Sequence, residues 1–266
     1  MKLSVWSSYY YPLSPEEAVE RLLANGISCT ELSDEHGEML FARGTDVCET
    51  GRRFAAFIAA RGMEIPQGHL PLSVKICSED LGRLYRWIDM YEAIGIKNMV
   101  LHCDNLADTS LTQEEKIEQN IIKLKEIAAY IEGRSITVCL ENLQLRAPRS
   151  IEEILYIIDR VGSKSLGICL DTGHLNLTVK GQRDFILKAG GLLKALHIAD
   201  NDGVTDQHRM PFNHGTIDFH EIVGSLREIG YEGLFNLEIP GEGRIPYELR
   251  DAKLCFIKCG YELLMR

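Results

Sequence analysis

Asp171 and His174 stand three residues apart in the segment GICLDTGHLNL, residues 167–177. A short apolar run, 166–170, ends abruptly on Asp171. A run of that length bounded by glycine reads as a buried parallel strand. Asp171 then falls at the carboxyl end of the strand, where open α/β sheets and barrels hold their chemistry. A carboxylate and an imidazole at that place suit a divalent metal or proton transfer. The competing reading makes Asp171 a helix cap with His174 packed beside it. The same arrangement recurs along the chain, because further short runs end on His69, His102, Glu141, His197 and Glu238. The following loops add Asp206-Gln207-His208. One such residue is readily a satisfied core histidine or a cap. Six consecutive strand ends carrying a ligand type point to a metal or acid–base site.

The ligand types narrow the chemistry. Carboxylate oxygen mixed with imidazole nitrogen suits Mn2+, Co2+, Zn2+ or Fe2+, and Mg2+ less well. Glu141 and Glu238, on opposite sides of the site, could each give one oxygen to the metal and keep the other for a proton. The eight cysteines are scattered and form no CxxC pair. They read as reduced, packed thiols without a chemical role, which points to a cytoplasmic protein.

The elements that must position these groups follow a regular alternation. Strands are expected over 2–5, 29–32, 64–69, 98–101, 137–140, 166–170, 194–196 and 234–237. Helices are expected over 15–24, 51–60, 78–93, 112–132, 150–161, 184–187, 218–229 and 246–264. Ser14-Pro15-Glu16-Glu17 is a helix start, with a capping serine, proline in the first turn and glutamate at the third position. Eight strand–helix units over 266 residues give about 33 residues each, the expectation for a (β/α)8 TIM barrel of about 250 residues. No composition break suggests a linker, so one α/β domain over 1–266 is predicted. The runner-up, a doubly wound open sheet, usually opens with a glycine-rich phosphate loop, and none is present.

Bulk properties exclude some functions. The formal net charge is −10 and there is no Lys/Arg cluster, which argues against a nucleic-acid partner. No apolar stretch reaches the length of a membrane span, and MKLSVWSS lacks the pattern of a secretory signal. A hydrophobic content of 45% with 26% charged residues is ordinary for a globular chain.

VCLENL around Glu141, GICLDTGHLNL around Asp171, LHIADNDGVTDQHRMPFNHGTIDF from His197 and NLEIP around Glu238 resemble the xylose isomerase-like TIM-barrel superfamily. That group includes sugar phosphate isomerase/epimerases, ketose 3-epimerases, hydroxypyruvate isomerase, inosose dehydratase and endonuclease IV. The resemblance covers almost the whole chain in order. D-N-D-G-x-x-D-x-H-x-x-P followed by G-T-I-D-F is specific for the superfamily rather than for one member.

Within the epimerase branch, the resemblance implies one divalent ion held by Glu141, Asp171, His197 and Glu238. The two glutamates would be the acid/base pair, exchanging the proton alpha to a ketose carbonyl through a cis-enediolate. His174 and Arg209 would contact substrate oxygens. The implied substrate is a small sugar or sugar phosphate, and homodimers or homotetramers are both compatible with the resemblance.

The rival within the superfamily is endonuclease IV-like phosphodiester hydrolysis with three zinc ions. Its ligand set maps onto His69, His102, Glu141, Asp171, His174, His197, Asp206, His208 and Glu238. Against it stand the acidic charge, the lack of Arg-rich and aromatic insertions that would hold a bent duplex, and the absent glycine-rich surroundings of Glu141 and Asp171. Two further alternatives are a metal-dependent lyase or dehydratase, which begins with the same proton abstraction, and a non-catalytic barrel.

The remaining residues carry weaker expectations. Trp6, Tyr9 and Tyr10 either wall the sugar or pack at the rim. Glu31 either faces substrate or serves as a solvated or capping group. His36, in Asp34-Glu35-His36, is expected in a solvated loop. His214, beside Gly215, lines the mouth or forms a turn, and His220 opens a surface helix. Arg146, Arg149 and Arg244 are loop cations that either bind a phosphate or, as the simpler expectation, are solvated.

Overall fold

The computed structural model describes residues 1–78, 80–106, 110–212, 215–241 and 245–266. His214 and Arg244 lie outside the described residues. Eight strands alternate with helices: β1 (Lys2–Val5), β2 (Cys29–Leu32), β3 (Glu64–His69), β4 (Asn98–Leu101), β5 (Thr137–Glu141), β6 (Leu166–Asp171), β7 (Leu193–His197) and β8 (Leu234–Leu237). Each begins and ends within a residue of the sequence expectation.

All ladders are parallel. One runs β2-β3-β4-β5-β6-β7, and β1 pairs with β8. At the β7–β8 seam, the N–H of Ile198 donates to the Asn236 carbonyl (2.8 Å) and that of Glu238 to the Ile198 carbonyl (3.1 Å). β1 and β2 have no ladder between them. There the Thr30 hydroxyl donates to the Val5 carbonyl at 2.6 Å. The sheet therefore curls into an α/β TIM barrel whose last seam is made by a side chain.

The helices cover the outside because each is apolar on one side. In the helix Ile151–Val161, Ile151, Ile154, Ile157 and Ile158 are buried at the spacing of one helical face. Ser150 caps it by accepting from the N–H of Glu153 (3.3 Å). Each buried isoleucine contributes about 1.5–3 kcal/mol of transfer free energy. β6 is buried at all six positions, as a strand covered on both faces must be.

The barrel interior follows the two-residue period of strands. Val100, Cys139, Cys169 and Ala195 form a separate, fully buried cluster. Two residues further along each of these chains come His102, Glu141, Asp171 and His197. Small apolar side chains thus make a floor, and the polar residues stand one layer above it.

Two local expectations are corrected. The segment Asp34–Phe41 is a helix capped by Ser33, not a loop, and His36 within it is buried. Its Nε2 donates to the Leu13 carbonyl at 3.0 Å. Asp34 and Glu35 are favourable in the first turn of a helix because of its dipole, which made the segment resemble a charged loop. The helix expected from residue 78 begins at Gly82. A short helix, Thr172–Leu177, follows β6 directly.

Candidate active site

The strand ends converge as the alternation predicts. Asp171 stands opposite His197 in the β6–β7 register. One ligand atom from each of Glu141, Asp171, His197 and Glu238 lies within 4.8 Å of all the others. Glu141, His197 and Asp171 are fully enclosed and Glu238 is 8% exposed. Asp171 combines both roles considered from the sequence. Its Oδ1 accepts from the N–H of His174 (2.6 Å) and caps the short helix, while its Oδ2 has no hydrogen-bond partner. His197 Nδ1 and Glu238 Oε2 are likewise buried without hydrogen-bond partners. Three unsatisfied buried polar atoms in one group of four is an arrangement that a divalent cation would satisfy. The donor set fits such an ion.

Two further groups adjoin this one. His69, His102 and Glu141 form the first, and Asp171, His174 and His208 the second. His102 Nε2 is 2.9 Å from Glu141 Oε2, and His69 Nε2 is 3.6 Å from the same oxygen. Asp206 lies between two imidazoles, 3.3 Å from His174 Nε2 and 3.3 Å from His208 Nε2. His208 has a left-handed backbone (φ 42°), a strained conformation for a side-chain-bearing residue.

The electrostatics separate these groups. Burial pushes the Glu238 carboxyl up to about 7 against the pull of His197 and His208. Burial acts the same way on Glu141, yet the imidazoles of His102, His197 and His174 outweigh it and hold that carboxyl well below its usual range. Burial also opposes charge on the histidines. It lowers His102 to about 4, whereas the hydrogen bond and charge of Glu141 overcome it at His69, which rises to about 9. Asp171 with Asp206 takes His174 to about 12, and Asp206 with Glu238 takes His208 to about 10.

Glu31 is buried and reaches the site from below. Its Oε1 accepts from His197 Nε2 at 3.1 Å. Its Oε2 accepts from Gln67 Nε2 at 3.0 Å and from Asn236 Nδ2. Neither the substrate-facing nor the solvated reading of this residue holds. Glu31 fixes the His197 tautomer so that Nδ1 faces the carboxylates, the arrangement by which an outer carboxylate orients a metal-binding histidine. The signal was a charged residue inside the uniformly buried strand β2. Asn142, which sequence reasoning also missed, ties β5 to β6. It donates to the Asp171 carbonyl (2.9 Å) and accepts from the Asp171 N–H (2.8 Å).

Above the cluster lies a cavity of about 370 Å³. Its lining includes His69, His102, Glu141, His174, His208 and Glu238, together with Asp34 and Glu35. Trp6, Leu72, Ile239 and Pro240 supply apolar wall. The Trp6 indole is fixed by donation to the Ile239 carbonyl at 3.1 Å. Tyr9 does not line the cavity. The tight turn Ser7–Tyr10 carries it into the core, where its hydroxyl donates to the Arg250 carbonyl (2.8 Å). Tyr10 is buried as well, bonded to Asp251. Arg209 is not in the described lining, and its guanidinium is 3.8 Å from Asp202. Arg149 and His220 are exposed. Arg146 is not the solvated cation expected, because it bonds His102 Nδ1 at 2.9 Å. Cys169 reaches Glu141 and His197 from the floor, but burial pushes its thiol well up, so it stays neutral.

The chain matches the Xylose isomerase-like TIM barrel family over residues 19–258 and belongs to that family. It is 30% identical over 134 residues to D-psicose 3-epimerase of Enterocloster bolteae, covering 50% of this chain and 38% of that protein. It is 29% identical over 184 residues to the probable endonuclease 4 of Ureaplasma parvum, covering 59% of each. The chain spans about half the length of the curated relatives it matches. The crystal structure of a D-psicose 3-epimerase in the presence of D-fructose superposes with a TM-score of 0.82 at 16% identity, over 100% of this chain and 99% of that one. No helix among the described residues is long and apolar enough to cross a membrane.

Proposed function

We propose that this protein is a divalent-metal-dependent sugar isomerase or epimerase that transfers a proton at the carbon beside a ketose carbonyl. The observation that carries the reading is the pair of carboxylates, Glu141 and Glu238, facing one cavity and sharing a four-residue ligand group with Asp171 and His197. Mn2+, Co2+ and Zn2+ suit that donor set, with Mg2+ less favoured. Such an ion would polarise the carbonyl and offset the charge that develops on it.

The chain's own residues supply the rest. Glu141 receives a proton at one face of the substrate and Glu238 holds one for the other face. Glu31 keeps His197 turned toward the pair. The Trp6 wall and the carboxyls of Asp34 and Glu35 receive a polyhydroxylated molecule, since carboxylate oxygens accept from hydroxyls and an indole covers C–H surface. Return of the proton to the same carbon gives an epimer, and return to the neighbouring carbon gives an aldose. The likeness in fold to D-psicose 3-epimerase supports this reading.

The test is solvent exchange. Metal-loaded protein in heavy water is incubated with a panel of ketoses, and deuterium is sought at the carbon beside the carbonyl. We expect incorporation with the wild type. Glu141→Gln and Glu238→Gln should each lose at least about 100-fold of it, the scale of a positioned acid or base. Near-normal exchange by either variant, or none by the wild type on any ketose, overturns the reading.

One observation favours a second reading. The adjoining groups of potential ligands, with the resemblance to probable endonuclease 4 proteins, fit a phosphodiesterase with several metal ions. Two or three tightly bound zinc ions per chain, with cleavage of abasic DNA, would establish it.

A further inference from the structure

A histidine ligates a metal through a lone pair, so the partner of its other nitrogen decides whether it can serve. Three histidines around the cavity have an acceptor on that other nitrogen. His69 Nδ1 is 2.7 Å from the Leu70 carbonyl. His208 Nδ1 is 3.0 Å from the Glu238 carbonyl, and His197 Nε2 is 3.1 Å from the Glu31 carboxylate. Carbonyls and carboxylates only accept. Each of these rings therefore carries its proton on the outer nitrogen and, when neutral, turns a lone pair toward the cluster.

His102 is built the other way round. Its outer nitrogen, Nδ1, is 2.9 Å from an Arg146 guanidinium nitrogen. A guanidinium only donates, so Nδ1 must accept. The proton of the neutral ring then sits on Nε2, which points at Glu141 Oε2 from 2.9 Å. A cation on this side would need the ring to surrender that proton or to turn Nδ1 away from Arg146.

We propose that Arg146 fixes His102 as the Nε2–H tautomer, making it a donor that positions Glu141 and withholding from the His69–His102–Glu141 group the lone pair a second metal ion would need. Arg146 and His102 are thus positioning residues, and the chain holds an ion only where the back-side partners are acceptors. The inference rests on the isomerase reading for the role it gives Glu141, but it concerns proton placement and is tested without turnover.

The experiment is long-range 1H–15N correlation on chain labelled with 15N in the histidine rings, before and after zinc addition. The His102 signals are assigned by their loss in His102→Gln. In the wild type we expect a protonated Nε2 and an unprotonated Nδ1, unchanged when two equivalents of zinc are present. In Arg146→Ala the tautomer preference should collapse, and one more equivalent of zinc should bind at least tenfold more tightly than in the wild type. Arg146→Lys, which keeps a donor, should restore the wild-type pattern. An unprotonated Nε2 in the wild type overturns the inference, and so does an Arg146→Ala spectrum and zinc stoichiometry identical to the wild type. The two failures separate cleanly. The expected tautomer in a protein that exchanges no ketose hydrogen would sink the isomerase reading alone, and ketose exchange with an unprotonated Nε2 would sink this inference alone.

Discussion

Replacing Glu31 with glutamine isolates the group that aims His197 without touching the cavity. The side chain keeps its size, so the buried site neither opens nor overpacks. Three donors meet the Glu31 carboxylate, two at Oε2 from Gln67 and Asn236 and one at Oε1 from His197. An amide offers one acceptor oxygen. The two amide donors hold it on their side, and the new NH2 then faces His197 Nε2. That nitrogen must now accept, so the proton moves to Nδ1, the atom directed at Glu141 and Glu238, 3.3 Å from an oxygen of each. Loss of an orienting outer partner weakens metal binding by about 10–100-fold, or about 1.4–2.8 kcal/mol at 1.4 kcal/mol per tenfold. The assay is competition of Zn2+ or Mn2+ against a chelating indicator, with melting curves of the metal-free and metal-saturated protein. The melting advantage given by metal should shrink in step, since that advantage follows the logarithm of concentration over Kd. A Glu31→Gln protein that folds and binds metal within about threefold of the wild type, well under the 1.4 kcal/mol that a tenfold change represents, would refute the reasoning.

Two further outcomes test the frame around the site. A methyl group at Gly215 would lie 1.9 Å from the Asp200 carboxyl, which accepts from the N–H groups of Asn201 and Ile217 and so folds the loop bearing Asp206 and His208. Gly215→Ala should destabilise by about 1–3 kcal/mol and lower the melting temperature by several degrees by calorimetry; an unchanged value would mean that the loop accommodates the methyl freely. Burial lowers the pKa of His36, with the Leu13 carbonyl pulling the other way. The unfolded chain thus takes up this proton at higher pH than the folded one. Neutral His36 contributes stability above the ordinary histidine value of about 6.5, and the contribution is lost as pH falls below it. His36→Gln, which retains a donor for Leu13, should flatten the fall of melting temperature between about pH 7 and pH 5; a slope equal to the wild type would contradict this.

The barrel and its ring of ligands were legible because parallel strands announce themselves locally. A buried strand is an apolar run, and its end is marked where the run meets a residue that cannot stay in the core. Glu141, Asp171 and His197 each close such a run. Caps were legible for the same reason, since Ser14 and Ser150 act within three residues of themselves. The helix Asp34–Phe41 was harder. It is eight residues long, too short for its periodicity to stand out, and its start differs from a solvated loop only by Ser33.

What was not legible is what each side chain does behind its own residue. Glu31 and His197 are 166 positions apart, as are Arg146 and His102 by 44. The choice between a lone pair and an N–H facing the cluster is made by such distant partners. Two histidines at equivalent strand ends, His69 and His102, are identical to a reader of the sequence. One has a carbonyl behind it and the other a guanidinium, and only the first can present a nitrogen lone pair without losing its partner. A ligand pattern counted along a chain is thus an upper bound on the metal positions it builds. Among the described residues of this barrel the bound is four groups; the neutral Cys169 thiol removes one and the back-side partner of His102 another. A pattern of potential ligands along a chain can therefore outnumber the ion positions that its proton arrangement admits.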